Sequence, residues 1–204
     1  MLTLAINTAT LDTEIALIDL KAKKILAEKS WKSESNEAET LLPKILELLA
    51  KNKLTFKDLQ KIIVIKGPGS FTGLRVGITI ANMIAHLLKI PIEGVETLTF
   101  IERSFPSKIT ERKDATLIFF AGKKEIYTKK PNQTKPELVK LEEAKTLKNL
   151  YGELRPDQDL PHESKRTTLG ETILNLKPKD LLAEKIITPL YMKGPSISKP
   201  KPIK

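Results

Sequence analysis

The segment that most limits what this chain can become is residues 67–77, Gly-Pro-Gly-Ser-Phe-Thr-Gly-Leu-Arg-Val-Gly. It follows the nearly continuous apolar run Lys61-Ile-Ile-Val-Ile-Lys66, which suits a central strand covered on both faces. It opens an apolar stretch that continues to Lys89 before Pro91 stops it. Strand, glycine turn and helix are thus joined with almost no slack. Gly67 and Gly69 permit backbone angles that side chains forbid, and Pro68 stiffens the turn between them. Ser70 and Thr72 bring hydroxyls to the helix start, where backbone N–H groups lack partners, and Thr72 reads as the cap. Gly73 and Gly77 allow another backbone to approach the helix. Two readings are open for Gly67, Pro68, Gly69, Ser70, Phe71, Thr72 and Gly73. One is an anion cradle at a helix N-terminus. The other is a tight strand-to-helix crossover. The spacing fits neither a Walker loop nor the dinucleotide fingerprint.

The helix that follows has one polar stripe, Arg75, Thr79, Asn82, His86 and Lys89, and is otherwise apolar or small. A helix of that kind is buried on two sides. A sheet supplies one side. The other is a second helix of the same chain or another protein. Residues 36–52 give a candidate, capped by Ser35 or Asn36, with Leu41, Leu42, Ile45, Leu46, Leu48 and Leu49 apolar. Pro43 inside that pattern predicts a bend.

Ahead of it, residues 2–8, 13–20 and 25–32 read as strands of an antiparallel meander. Beyond residue 100, residues 115–121 and 125–129 pair through a turn containing Gly122. Residues 136–150 read as a helix after their proline, and residues 156–165 as a polar loop. Strands, helix, strand, helix and strands again predict a mixed sheet with helices packed on it.

Composition removes several function classes. The absence of cysteine excludes disulfides and thiolate metal sites. His86 and His162 lie far apart, so the paired histidines of a metalloprotease are missing. Asp12, Glu14 and Asp19 read as solvated acids on the first hairpin. Residues 1–100 hold 13 Lys and Arg against 11 Asp and Glu, and the remainder holds 22 against 14. The second half is therefore either a lysine-rich solvated surface or a face near an anionic partner such as nucleic acid. The opening residues read as a strand and not a signal peptide, and no apolar run reaches the length of a bilayer span. A cytoplasmic protein without membrane contact is the expectation.

Residues 67–77 resemble the signature of the bacterial TsaB family, also called YeaZ. The flanks agree. Leu4-Ala-Ile-Asn-Thr-Ala-Thr10 resembles the family's opening strand, and Leu41-Leu-Pro43 its first-helix motif. Thr97-Leu98, Glu125-Ile-Tyr127 and Pro189-Leu-Tyr191 resemble later motifs. The likeness is strong over residues 1–100 and patchy beyond.

It implies an α/β, actin-like (ribonuclease-H-like) fold of two lobes, with mixed sheets, packed helices and a reduced second lobe. Residues 1–100 would form the first lobe, 101–193 the second, and 194–204 a basic, disordered tail. It implies a role in placing threonylcarbamoyl on the adenosine beside the tRNA anticodon, as a non-catalytic partner of a TsaD-like catalytic subunit. A TsaE-like ATPase joins the full complex, and tRNA is the substrate of the whole.

Docking, or homodimer formation, would use the first two long helices. Leu41, Ile45, Leu48, Leu74, Arg75, Ile78, Ala81, Ala85 and Leu88 are the expected interface. Catalytic and metal residues are expected to be absent. No tightly bound cofactor is expected either, with ATP or ADP and Mg²⁺ entering at the level of the complex. The alternatives are an ATPase-like module binding nucleotide or anion on residues 67–72, and a stand-alone homodimer. Four positions depart from the family pattern. Asn7 stands where an aspartate is usual, Glu37 where histidine is frequent, and Phe120 and Gly122 where aspartate and arginine are frequent.

Overall fold

The computed structural model describes residues 1–32, 36–106, 112, 114–131, 133 and 135–192. The opening alternation folds as a meander. β1 (Leu2–Asn7) pairs antiparallel with β2 (Asp12–Asp19), and β2 with β3 (Lys24–Lys32). α1 (Glu37–Lys51) leads to β4 (Lys61–Gly67), which lies parallel to β1 with Ala5 opposite Ile63. α2 (Phe71–Leu88) then returns the chain to β5 (Ile92–Glu96), parallel to β4. Parallel neighbours need such a crossover.

α3 (Thr97–Ser104) leads out to a second, four-stranded sheet. Its strands are β6 (Thr116–Phe120), β7 (Glu125–Lys129), β8 (Glu137–Lys140) and, after the single-turn α4 (Leu141–Ala144), β9 (Leu150–Glu153), in the order β8-β7-β6-β9. The chain then comes home. α5 (Leu169–Leu174) packs with α3 and against β1, β2 and β3. β10 (Leu182–Ala183) joins the edge of β5, completing the order β10-β5-β4-β1-β2-β3.

Both faces of the first sheet are covered, one by α1 and α2 and the other by α3 and α5. Leu4, Ala5, Ile6, Ile62, Val64 and Ile65 are accordingly all but inaccessible, as the unbroken apolar run of β4 requires. Arg103 on α3 donates to Asp180 through Nε at 2.7 Å and Nη2 at 3.1 Å, tying α3 to the returning segment. Burial pushes the Asp180 carboxyl up, but the guanidinium and the Lys177 amide outweigh it and hold the group below its ordinary value.

Three expectations change. Residues 136–150 are not one helix. Their first part is claimed by the open edge of β7, where Val139 sits opposite Ile126, and a ladder of that kind outweighs weak helix propensity. Residues 169–183 return to the first sheet, so the second sheet and the loop after it lie within residues 115–165, where a lobe of residues 101–193 is expected. The cap of α2 is Ser70, whose Oγ accepts from the Gly73 amide at 3.2 Å, and not Thr72. Asn36 precedes α1 without a side-chain cap, and Ser35 and the 194–204 tail lie outside the described residues.

α2 also corrects the expectation about membrane-length runs. With 18 residues and a mean hydropathy of 1.3 it is long and apolar enough to cross a bilayer. It instead lays Leu74, Ile78, Ala81, Ile84 and Ala85 on the sheet and α1.

Candidate functional site

The glycines of residues 67–77 face inward. Gly67 has φ +112, and a β-carbon there would stand 2.6 Å from the Leu190 carbonyl oxygen. β-Carbons on Gly69 and Gly73 would meet the carbonyl oxygens of Ala9 and Thr8 at 2.4 and 2.2 Å, and one on Gly77 would meet the Thr8 side chain. The Ser70 amide donates to Ala9 at 2.9 Å. The loop is thus pressed onto the turn that follows β1. Of the two readings open from sequence, this geometry is that of the close crossover, with the glycines filled against by protein. Phe71, Thr72 and Arg75 are the exposed members of the segment, with Gly69, Ser70 and Val76 half-buried.

The expected interface residues divide sharply. Leu41, Ile45, Leu48, Leu74, Ile78, Ala81 and Ala85 are buried in this chain's own core, none more than 6% exposed. They are where α1, α2 and the sheet meet, so no partner reaches them without unfolding the lobe. Arg75 is exposed and Leu88 half-buried. The outward stripe of α2 is a different set: Phe71, Arg75, Thr79, Met83, His86 and Leu87. Leu87 is 70% exposed and Met83 41%, with Leu46 of α1 at 49%.

Asn82 belongs to the polar stripe of α2 and is engaged by the chain itself. Its Nδ2 donates to the Ile187 carbonyl at 2.8 Å, and its Oδ1 accepts from the Ile187 amide at 2.9 Å. This pair anchors a strap, residues 184–191, along α2. Glu184 pairs with Lys66, the Leu190 amide donates to the Lys66 carbonyl at 2.7 Å, and Ile187 is 1% exposed. The second cover that α2 needs is therefore α1 and the strap together.

The first hairpin faces the second lobe, and here an acid expected in solvent proves to be internal. The Glu14 side chain is 8% exposed. Its Oε2 accepts from Asn7 Nδ2 at 2.8 Å and from Arg166 Nη2 at 2.6 Å. Asn7 also donates to Thr10 Oγ1 at 2.8 Å and accepts from the Ala9 amide at 3.0 Å. The departure at position 7 has a local reason, since an aspartate there would point a second carboxylate at Glu14.

Glu153 at the end of β9 completes the bridge by accepting from the Leu11 amide. Burial raises its carboxyl above the ordinary value, against the lowering effects of that amide and of Arg166. A cleft of about 810 Å³ opens beside this cluster, lined by Asp12, Glu28, Lys29, Arg155, His162 and Lys165 among others. Among the described residues no three His, Asp or Glu gather as a metal cage. With Asn7 donating and Arg166 already set on Glu14, these groups do not fit a Mg²⁺-nucleotide.

Of the other departures, Glu37 lies 2% exposed in the first turn of α1. Phe120 packs on Phe119 at 4.3 Å between centroids, and Gly122 takes φ +136 in the β6–β7 turn. Arg166, Glu153, Lys66 and Glu184 were invisible to sequence reasoning because their partners lie 118 to 152 residues away.

A six-stranded mixed sheet with helices on both faces, followed by a smaller sheet docked beside its first hairpin, is the actin-like two-lobed class. Solved YeaZ from Pseudomonas aeruginosa superposes with a TM-score of 0.52 at 23% identity, covering 68% of this chain and 64% of that one. The family model for TsaD, tRNA N6-adenosine threonylcarbamoyltransferase, matches residues 25–146. The tRNA threonylcarbamoyladenosine biosynthesis protein TsaB of Bacillus subtilis is 37% identical over 131 residues, covering 63% of this chain and 54% of that protein. The TsaB of Buchnera aphidicola is 31% identical over 159 residues, covering 74% of this chain and 70% of that one. The chain belongs to the TsaB (YeaZ) family, and it spans 54% to 70% of the lengths of these relatives.

Proposed function

We propose that the chain is a non-catalytic subunit of the machinery that makes threonylcarbamoyladenosine in tRNA, and that it docks on a TsaD-like catalytic subunit. One observation carries this reading. α2 keeps an exposed stripe of Phe71, Arg75, Thr79, Met83, His86 and Leu87, while Leu74, Ile78, Ala81, Ile84 and Ala85 on its other side are buried. Exposed apolar side chains aligned on one rigid helix are the usual material of a protein interface. The curated relatives named for this modification supply the context. The self-satisfied hairpin cluster speaks for a subunit that leaves chemistry to its partner. ATP or ADP with Mg²⁺, and a TsaE-like ATPase, then belong to the assembled complex, and tRNA to the complex as substrate.

The test is co-expression with the TsaD-like protein of the same genome, followed by sizing. A one-to-one complex is expected for the unaltered chain. Leu87→Glu and Met83→Glu are expected to abolish it while leaving the thermal transition in place, since both side chains start in solvent. Failure of the unaltered chain to co-elute overturns the proposal.

A further inference from the structure

Lysines gather at the end of the first sheet that lies away from the glycine segment. β1, β4 and β5 begin at this end, β2 turns into β3 there, and α1 and α2 finish there. Each connection brings exposed lysine. The β2–β3 turn holds Lys21, Lys23 and Lys24, and the link from α1 to β4 holds Lys53 and Lys57. Lys89 ends α2. Lys177 and Lys179 flank Pro178, which lines one hollow with Lys23 and Lys61. Counting along the chain hides this cluster, because residues 1–100 are nearly neutral.

The acids at this end are already engaged. Asp19 accepts from the N-terminal amine at 2.6 Å, and Asp58 from the Thr55 amide at 2.7 Å. Glu93 pairs with Lys61 at 2.8 Å, and Glu47, one turn back on α1, pairs with Lys29 and Lys51. Asp180 is spanned by Arg103, with Lys179 acting at longer range. Among the described residues, the exposed lysines named above form no ion pair. α1 and α2 end here with roughly half a negative charge each, too little to balance the cluster. Lys23, Lys53 and Lys89 moreover stand at φ 51, 56 and 55, left-handed positions that suit glycine or asparagine. Three separate turns thus hold a cation at some conformational cost.

We infer that this face binds the phosphate backbone of a double-helical RNA stem. The choice of RNA among polyanions rests on the proposed role in tRNA modification. The chemistry chooses the backbone of a duplex. Lysines on separate turns neutralise phosphates and do not read bases. They spread from β3 to β5, roughly 20 Å at about 4.8 Å per strand, and so do not converge on one small anion. Phe56, the aromatic residue of the α1–β4 link, packs against the core and offers no face for stacking unpaired bases.

The test measures binding of the full chain to an unmodified tRNA transcript by fluorescence anisotropy over a series of salt concentrations. For the unaltered chain, log affinity is expected to fall against log salt with a slope of about −3 or steeper, as release of several counterions requires. Lys21→Glu with Lys24→Glu, and Lys53→Glu with Lys57→Glu, are each expected to weaken binding about 10-fold or more and to flatten the slope by about two. Both pairs start in solvent, so the thermal transition is expected to stay in place. Lys123→Glu with Lys124→Glu makes the same change of charge on the exposed β6–β7 turn and is expected to leave binding within about threefold. Sheet-end pairs that bind as the unaltered chain does overturn the inference. A loss in the Lys123 and Lys124 pair as large as in the others also overturns it, since net charge alone then carries binding. An unaltered chain that ignores the transcript but binds vesicles of anionic phospholipid gives the face to a membrane and overturns it as well. Binding to neither overturns the face and leaves docking on the TsaD-like subunit to its own co-elution test.

Discussion

The two lobes use the same alternating strands to different ends. In the first, β1, β4 and β5 are buried from both sides, and the helices that bury them belong to the same lobe. In the second, the sheet has one face of its own and one on loan. Ile118, Ile126, Leu150 and Leu154 turn to a small cluster with Ala144 and Leu160. Leu117, Phe119 and Tyr127, their neighbours in period two, turn instead into the core of the first lobe. The second lobe is a cap whose inner face is completed by the first. The difference teaches where disturbance stays local. Damage between α2 and the first sheet has nowhere to go, whereas damage in the small cluster leaves the larger core intact.

The largest expected effect comes from breaking the first lobe where sequence alone had placed an interface. Ala81 is fully buried between α2 and its neighbours. Ala81→Glu puts an unpaired carboxylate there at a cost of several kcal/mol, comparable to the whole stability of a domain of this size. Loss of the cooperative thermal transition is expected, not merely loss of a partner. A variant that melts within a few degrees of the unaltered chain would return Ala81 to the surface.

A middle effect is expected where the lobes are joined. Arg166→Ala leaves Glu14 buried with only the amide of Asn7 and costs about 3–5 kcal/mol. Because Arg166 also faces Glu153 and lies 5.2 Å from the Phe100 ring, the loss loosens the cap as well. Exchange at the Leu11 amide should rise more than exchange within β1. Equal protection at both positions would mean that the lobes are held by apolar packing alone.

How far the sequence could be read follows the same division. β1 to β4 with α1 and α2 are legible because their patterns are periodic and their turns are short, and the glycine segment announces its own crossover, whereas the short β5 after Pro91 carries no such pattern. The placement of side chains on α2 was not. A helix apolar on most of its surface says that two sides are covered but not which residue faces which cover, so the sequence alone places Ala81 and Ala85 at a partner interface and leaves Asn82 simply in the polar stripe. In the second lobe, Val139 belongs to a strand only because Ile126 lies opposite it, and no local pattern contains that fact. Gln158 sits in a polar loop by composition. It is 4% exposed because it donates to the Gly122 and Glu125 carbonyls at 2.9 and 3.2 Å. Long-range polar pairs such as Glu14 with Arg166 leave no trace in spacing.

The smallest effect sharpens the comparison through pH. Glu153 belongs to the cap but is buried against the first lobe's hairpin, and burial is the main cause that raises its carboxyl above the ordinary value. The folded chain therefore holds that proton more tightly than the unfolded chain does. Its contribution to stability is fully present below the unfolded value, about 4.3 for a glutamate, and is lost as pH rises through the folded value. Above that, a carboxylate sits in a poorly solvated place with Asp12 and Glu14 nearby, relieved in part by Arg166 and the Leu11 amide. Glu153→Gln keeps an oxygen that accepts from Leu11 and removes the charge. The variant is expected to melt at or slightly above the temperature of the unaltered chain at pH 7, with the gap narrowing as pH falls toward 4. A gap that widens on acidification would mean that the charged form is the stabilising one, and that the cap is held to the first lobe by Glu153 facing Arg166 and not in spite of its charge.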